Sequence, residues 1–252
     1  MVRIQLHGRF ALSVDGRPVE QALPGRRGRL LVALLADSRH SPVDRATIVE
    51  RLWEPAEPGA GAAATFTALL SKVRALVAPA EIRGRSGLQL VLPEGSIVDG
   101  AVAGAALHAA EAATARRDWR RAWTQSLSAV FVLQRTFLAE FDEPWVQRRR
   151  AELAHDRRRA LTCYAEACLQ LGPTELASAE RSARALVDDD PLAETGYRLL
   201  MRALDRRGDR GAALEVYDRL TRVLRDDLGA VPGPASRALL AELLEAAPTG
   251  RG

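Results

Sequence analysis

The chain has one lysine and 2 cysteines. The first count means that its positive charge comes from arginine, and the second leaves little basis for disulfides or a metal site. Lys72 is the only lysine among 36 basic residues, so nearly all of the positive charge is arginine. The 2 cysteines, Cys163 and Cys168, lie five residues apart, a spacing at which two side chains do not face each other on a helix. No CxxC or Cys/His ligand spacing occurs. We therefore expect reduced thiols and no metal site.

Long apolar runs are also missing. No run approaches the roughly 18–20 residues that a membrane span needs. The opening stretch "MVRIQLHGRF" has charges throughout and no apolar core of a signal peptide. Aromatic residues are only 5%, and alanine and leucine supply much of the apolar content, which favours close-packed helices over a broad sheet. These features predict a cytoplasmic protein with no membrane partner.

Catalytic and nucleotide-binding motifs are absent as well. The four histidines are scattered, and neither GxSxG, HExxH nor GxxxxGK[ST] occurs. The run Asp188–Asp190 precedes Pro191 and is interpreted as a helix-end loop rather than a metal site. We expect no enzyme activity and no cofactor. The formal net charge of +4 mildly favours an anionic partner but is too small to identify nucleic acid.

Along the first 95 residues the spacing of apolar side chains changes twice, from the alternation of strands to helical spacing and back to alternation. "VRIQLHG" and "FALSVDGRPVE" alternate apolar and polar residues, which predicts two strands with a turn at Asp15-Gly16. Three segments at helical spacing follow, and the second opens with Ser41 as the expected N-cap and Pro42 as its first residue. "EIRGRSGLQLVLPEG" then predicts a hairpin turning near Ser86-Gly87. This layout predicts a winged helix-turn-helix of the response-regulator type.

The remainder, residues 99–247, is predicted to be almost wholly helical. It contains a degenerate sequence repeat with a period of 34 residues. The last unit fits a tetratricopeptide repeat at the positions Tyr197, Leu200, Leu204, Gly208-Asp209, Ala213 and Tyr217. Two weaker units precede it, the first with Asp118 and Ala122 and the second with Ala179 and Pro191. The fold class is therefore mixed: an α+β winged helix, residues 1–95, followed by an all-α tetratricopeptide-like domain. Such repeats form grooves for partners and have no chemistry of their own.

The third helical segment, "TFTALLSKVRALV", has one apolar face and one slim polar face. The apolar face consists of Phe66, Leu69, Leu70, Val73, Leu76 and Val77. The opposite face is mostly alanine and has cations along its edges, which suits entry into a DNA major groove. The alternative interpretation is a solvated polar face.

Seven residues are candidate DNA contacts. Thr67 and Ser71 can bond base edges or phosphates, and Thr65 can cap the helix or touch a phosphate. Arg74 can contact guanine with two hydrogen bonds, and Lys72 can contact a phosphate. Arg83 and Arg85 alternate on one face of the hairpin, where they either reach a phosphate or the minor groove or line an exposed strand.

Other arginines are interpreted differently. Those at helix ends, namely Arg26, Arg27, Arg29 and Arg45, are expected to be solvated rather than bound to phosphates. In "WVQRRRAELAHDRRRA" the arginines are interleaved with Glu152 and Asp156 at helical spacing, which predicts an ion-paired exposed helix.

Taken together, these motifs resemble those of the actinobacterial antibiotic regulatory proteins. The resemblance rests on "PGRRGRLLVALLA", "VDRATIVERLW", "LLSKVRALV", "FLAEFDEPWVQRRRAEL", "ALDRRGDRGAALEVYDRL" and "LGAVPGP" in this order. It implies an OmpR-like winged helix joined to a bacterial transcriptional activation domain. It further implies binding to promoter repeats in double-stranded DNA and activation through RNA polymerase. We expect two protomers to bind adjacent repeats as a homodimer.

Two departures from the family pattern keep an alternative open. The third helix begins Ala62-Ala63-Ala64 where relatives often have arginine or another polar residue. The wing has Gly87-Leu88 where relatives commonly have Gly-Tyr. The alternative is an interaction adaptor whose winged helix is degenerate and does not bind DNA.

Overall fold

A computed structural model of the chain describes residues 1–54, 56, 57, 59 and 61–245. Its strands are β1 (Val2–Gln5), β2 (Ala11–Val14), β3 (Arg17–Pro18), β4 (Val43–Asp44), β5 (Glu81–Arg83), β6 (Gly87–Val91) and β7 (Ile97–Val98). Its helices are α1 (Gly25–Asp37), α2 (Arg45–Trp53), α3 (Ala62–Leu76), α4 (Asp99–Ala115), α5 (Trp119–Leu133), α6 (Pro144–Leu171), α7 (Leu176–Asp189), α8 (Glu194–Arg206), α9 (Arg210–Leu228) and α10 (Pro234–Glu245). The mixed fold class, an α+β winged helix followed by helices, is confirmed.

The chain packs into two compact units. The first unit contains Met1–Ala105 and Phe131–His155, and the second contains Ala106–Val130 and the described residues from Asp156 onward. The predicted domains, 1–95 and 99–247, are defined by sequence pattern rather than by packing, and their limits stay a prediction. Residues 246 and 247 lie outside the described part of the chain.

The N-terminal sheet of the first unit has the strand order β3-β2-β1-β7. β1 pairs antiparallel with β2, with Val2 opposite Val14, and β7 lies parallel to β1. Asp15 and Gly16 join β2 to β3 with φ angles of 48° and 79°. Two consecutive positive φ angles are the requirement of a type I′ hairpin turn. The turn predicted at Asp15-Gly16 is therefore confirmed.

The second sheet, ordered β4-β6-β5, forms the wing. Residues 84–86 connect β5 to β6, so the turn comes slightly earlier than the predicted Ser86-Gly87. Gly84 has a φ of +98°, and a Cβ added there would lie 1.8 Å from the carbonyl oxygen of Gly87. Only glycine fits such a position, and this requirement sets the place of the turn.

The start of α2 differs from the prediction at Ser41. Asp44 is the N-cap, and its carboxylate accepts hydrogen bonds from the backbone N–H groups of Ala46 and Thr47. The residues that follow Pro42 form β4, in which Val43 pairs with Leu88 of the wing. The cap prediction was wrong because strand pairing with a distant segment delays the helix by three residues.

The core of the first unit includes a segment from far along the sequence. Phe137 pairs with His7 in an isolated bridge, and backbone hydrogen bonds join residues 136–139 to residues 6–8. The buried side chains from this segment are Phe137, Leu138, Phe141, Trp145 and Val146. Arg150 fixes the loop, because its guanidinium donates to the carbonyl oxygens of Phe137, Leu138 and Phe141 at 2.7–2.8 Å. This insertion is not visible in the sequence pattern.

In the second unit, the predicted helix pair of the last repeat is confirmed as α8 and α9. Tyr197 and Ala213 are fully buried, and Gly208 turns the chain with a φ of +86°. The side chain of Asp209 then caps α9 by accepting from the N–H of Ala212. Ala213 is the small residue that lets the two helices approach closely.

Ion pairs cover the arginine-rich helix α6, as predicted. Arg149 pairs with Glu152, and Arg159 pairs with Asp156. The helix also receives partners from other elements, such as Glu111 for Arg159. These arginines are thus neutralised within the protein.

Both cysteine thiols are buried and free. Burial raises the pKa of Cys163, and it raises the pKa of Cys168 to about 11. Because the thiolate is the reactive form, both side chains are inert packing groups at neutral pH. None of the described helices is both long and apolar enough to cross a membrane.

Asp99 ties the end of β1 to the start of α4. Its carboxylate accepts from the backbone N–H groups of Leu6 at 2.8 Å, His7 at 3.0 Å and Gly100 at 2.8 Å. Burial by itself would raise the pKa of Asp99. The His7 ring, whose Nδ1 lies 3.7 Å from Oδ1, and the N–H groups of His7 and Leu6 outweigh burial, so the pKa lies below the ordinary value.

We expect Asp99→Asn to destabilise the protein at neutral pH by about 1–3 kcal/mol, because the N–H groups lose a charged acceptor. A carboxylate whose pKa is depressed on folding stabilises the fold above its unfolded pKa, about 3.9, and this stability is lost as the pH falls through the folded value. Urea unfolding near pH 7 and near pH 3 measures this. The difference between wild type and variant should shrink at the lower pH, and an unchanged difference would contradict the assignment.

Candidate nucleic-acid interface

Helix α3 presents one face to the core of the first unit and one to solvent. Phe66, Leu69, Leu70 and Val73 are buried, and Leu76 is half-buried. The exposed residues are Ala63, Ala64, Thr65, Thr67, Ala68, Ser71, Lys72, Arg74 and Ala75. The helix therefore has the slim, alanine-rich outer face that its sequence predicts.

The two threonines of this face make local hydrogen bonds. The hydroxyl of Thr65 donates to the carbonyl of Gly61 at 3.0 Å, and that of Thr67 donates to Ala63 at 2.8 Å. Hydroxyl groups in helices commonly bond the carbonyl four residues earlier in this way. Each hydroxyl thereby uses its only proton, so toward a ligand these two side chains can act only as acceptors.

Arg45, at the start of α2, organises this surface. Its Nη2 donates to Thr67 Oγ1 at 2.7 Å, and its guanidinium lies 4.7 Å from the centre of the Phe66 ring. Its backbone N–H bonds the carbonyl of Ser86 in the wing turn. Arg45 thus connects α2, α3 and the wing. The sequence interpretation missed this role, because no local pattern pairs an arginine with residues more than twenty positions away.

The helix-end arginines bind protein groups, although Arg26 and Arg27 are also exposed to solvent. Arg26 makes a two-pronged bond to the Glu143 carboxylate, and Arg29 pairs with Glu140. Arg27 stacks on Trp53, with its guanidinium 4.3 Å from the ring centre. The interpretation as solvated side chains holds for the exposed Arg26 and Arg27, but Arg29 and Arg45 are half-buried because groups from distant segments reach them.

Arg74 joins α3 to the wing. Its Nε donates to the carbonyl of Ile82 and its Nη2 to the carbonyl of Gly84, both at 3.0 Å. Two of its five N–H groups are thus committed to holding the hairpin, and three remain. The contact with guanine predicted for Arg74 stays a prediction, and it would have to use these three groups.

The two wing arginines differ in their surroundings. Arg83 Nε donates to Glu81 Oε2 at 2.8 Å along the same strand, and both side chains are exposed. An exposed pair of this kind is worth only about 0–1 kcal/mol, so a phosphate can displace the carboxylate at little cost. Arg85 is exposed in the turn.

Ser71 and Lys72 are exposed and, within the part of the chain that the structure describes, make no side-chain hydrogen bond or ion pair. The seven predicted contact residues therefore divide into two groups. Thr65, Thr67, Arg74 and Arg83 are engaged with the protein itself, whereas Ser71, Lys72 and Arg85 are available to a partner.

Comparison with known proteins places this architecture in a family. The profile of the bacterial transcriptional activator domain matches residues 98–244. The transcriptional regulatory protein EmbR of Mycobacterium tuberculosis is 31% identical over 266 residues, which cover 96% of this chain and 63% of EmbR. The regulatory protein AfsR of Streptomyces coelicolor is 30% identical over 236 residues, which cover 93% of this chain and 23% of AfsR.

A solved structure shares the fold over nearly the whole chain. It is the structure of Mycobacterium tuberculosis EmbR in complex with a low affinity phosphopeptide, and it matches with a TM-score of 0.80 at 26% identity. The match covers 97% of this chain and 65% of the EmbR chain, so this chain spans less than two thirds of the length of that relative. The chain belongs to the family of regulators built on the bacterial transcriptional activator domain, and the resemblance to the actinobacterial antibiotic regulatory proteins is confirmed.

Proposed function

We propose that the chain is a DNA-binding transcriptional regulator, specifically a pathway-specific activator in the cytoplasm. Residues 1–95 bind promoter repeats in double-stranded DNA, and two protomers occupy adjacent repeats as a homodimer. Residues 99–247 form the activation domain that contacts RNA polymerase. EmbR and AfsR, which are relatives of this chain, are regulatory proteins by name, and this supports the assignment. Neither catalysis nor a cofactor is part of the proposal.

The observation that carries the proposal is the coupling of α3 to the wing through Arg74. A winged helix contacts DNA with both elements, and their relative position must match the duplex. Because Arg74 fixes that position in the free protein, little ordering is left to occur upon binding. The alanine-rich outer face of α3 then allows close approach to the floor of a major groove.

The side chains on this surface suit phosphate contact more than extensive base reading. Lys72 is an exposed cation on α3, and Arg85 is one in the wing turn. Contacts of this kind position a protein on the duplex, whereas base-edge contacts select the sequence. Base selection is left to Ser71, Thr67 and the remaining N–H groups of Arg74. We therefore expect a regulator with a strong phosphate contribution and modest selection by each protomer.

The adaptor alternative differs from the proposed function in whether the winged helix binds DNA. An adaptor would bind no duplex, whereas a regulator binds DNA that lies upstream of its target genes. A gel-shift titration with duplexes from the chain's own gene neighbourhood separates the two. Retarded bands at low salt are expected. A folded protein that shifts no duplex at low salt would favour the adaptor.

We expect Lys72→Ala to weaken binding to all duplexes alike and to flatten the dependence of log K on log salt by about 0.9, the value of one phosphate contact. Fluorescence anisotropy over a salt series measures the slope. The matched control is Lys72→Arg, which keeps the charge and should keep the slope. Equal slopes for wild type and Lys72→Ala would remove Lys72 from the interface.

Arg74→Ala should lower both affinity and selectivity, because the change frees the wing and removes the proposed guanine contact. Arg74→Lys keeps the charge but cannot reproduce the planar fork that bonds two carbonyls. We expect both variants to lose roughly 1–3 kcal/mol of discrimination between a target site and a mismatched site.

The control for this experiment is Arg83→Ala, which removes a wing cation without touching the bonds of Arg74. It should weaken binding to both sites equally. Hydrogen exchange of the β5–β6 amides reports the loosening of the wing separately. If Arg74→Ala weakened both sites to the same extent, the role of Arg74 would be limited to holding the wing.

A further inference from the structure

The turn between α4 and α5 has an unusual concentration of unpaired positive charge. Four of the six residues 116–121, which comprise this turn and the first three residues of α5, are the exposed arginines Arg116, Arg117, Arg120 and Arg121. Within the described part of the chain, none of their guanidinium groups makes an ion pair or a hydrogen bond. Asp118 is the single carboxylate in the turn, and its Oδ1 accepts from the backbone N–H of Arg121 at 3.3 Å. We call residues 116–121 the arginine turn.

The same unit contains a second turn with the same backbone. In the arginine turn the N–H of Asp118 bonds the carbonyl of Ala113 at 2.9 Å, and between α8 and α9 the N–H of Asp209 bonds that of Leu204 at 3.0 Å. In both turns the aspartate side chain accepts from the N–H three residues later. The two turns are therefore equivalent, and the α8–α9 turn serves as an internal reference.

The residues equivalent to the arginine turn, 207–212, contain two arginines, and Arg206 comes directly before them, but each of the three is bound within the protein. Arg207 pairs with Glu180, and Arg210 pairs with Asp205 at 3.1 Å. Arg206 donates to the carbonyl of Leu169. The position of Arg207 corresponds to that of Arg116, which has no such carboxylate. An arginine-rich turn can thus be neutralised in this fold, and the arginine turn is not.

The backbone supplies an independent observation. Arg117 has a φ of +58°, whereas the corresponding residue of the reference turn is Gly208, with a φ of +86°. Glycine adopts positive φ freely, and other L-residues do so at a cost. Arginine therefore occupies a position where glycine would favour the fold.

The surroundings strengthen the positive potential of this turn. Residues 106–130 and 156–245 together contain as many arginines as Asp and Glu residues, so the excess of cations at the arginine turn is local. The turn also lies at the N-terminus of α5, where the helix dipole adds partial positive charge. Arg120 and Arg121 belong to the first turn of that helix.

The chemistry of the turn fits phosphate better than a protein surface. Guanidinium groups match the geometry of phosphate oxygens. The exposed residues at 115–121 are charged except for Ala115, whereas protein interfaces have an apolar centre depleted of charge. Interfaces with DNA are instead polar and strongly positive.

We infer that the arginine turn is a second phosphate-binding surface, which contacts the backbone of the same DNA molecule that the winged helix binds. The inference rests on the proposed function, because the winged helix supplies the DNA. Once the winged helix is bound, the second contact is intramolecular and needs little intrinsic affinity. The second contact raises the affinity for DNA and does not change which sequences are preferred.

The experiment compares the full chain with the variant Arg117→Gly/Arg121→Ala. Anisotropy is measured over a salt series on a short duplex with one site and on a duplex extended by about 10 base pairs, one helical turn, at each end. On the long duplex the variant should lose about 0.9 of log–log slope per arginine. Between about 50 and 200 mM salt, its affinity should then fall roughly tenfold less than that of wild type.

Two controls separate contact from folding. Arg117→Gly alone should leave the melting temperature unchanged or raise it, because glycine fits the positive φ. It should still reduce the slope by about 0.9 on the long duplex. Arg207→Ala removes an arginine that is already ion-paired in the reference turn, and it should leave the slope unchanged.

The outcomes are distinguishable from failure of the proposed function. If the double variant had the same salt slope as wild type on both duplexes while Lys72→Ala had a reduced slope, this inference would be overturned and the proposed function would stand. No binding by wild type to either duplex would overturn both proposals. If the variant kept its DNA binding but lost binding to poly-L-glutamate, the turn would be a site for an acidic protein and the DNA assignment would be wrong.

Discussion

The guanidinium of Arg74, bonded to the carbonyls of Ile82 and Gly84, is the constraint on which the proposed interface depends. It converts a helix and a hairpin into one rigid surface. Arg150 acts in the same way on the loop at Phe137–Phe141. In both places a planar cation satisfies backbone carbonyls that no strand or helix would otherwise pair. An arginine-rich composition thus serves structure as well as charge.

Much of the fold could be predicted because its signals are local. Alternating residues marked the first strands, Asp15-Gly16 marked their turn, and helical spacing marked α1 to α3 and the last repeat. The apolar and polar faces of α3 followed from the same periodicity, so the outer surface of that helix was also predictable. Such patterns depend on residues within one or two turns of each other.

Long-range contacts were not predictable from one sequence. Asp44 rather than Ser41 caps α2 because Val43 pairs with the wing. Phe137 enters the core of the first unit from more than a hundred residues beyond β1 and β2. For the candidate site, the sequence predicted which side chains are exposed, but it did not predict which of them form hydrogen bonds within the protein. Thr67 and Arg74 have partners in Arg45 and the hairpin carbonyls, and these partnerships exist only after folding.

The single lysine has a consequence for covalent chemistry. Guanidinium groups do not deprotonate at physiological pH and do not react as amines, so Lys72 presents the one side-chain amine of the chain. That amine is exposed on the outer face of α3. Acetylation would remove its charge at the proposed interface and alter no other side chain. The same uniqueness makes Lys72 the only side-chain attachment point for an amine-directed probe.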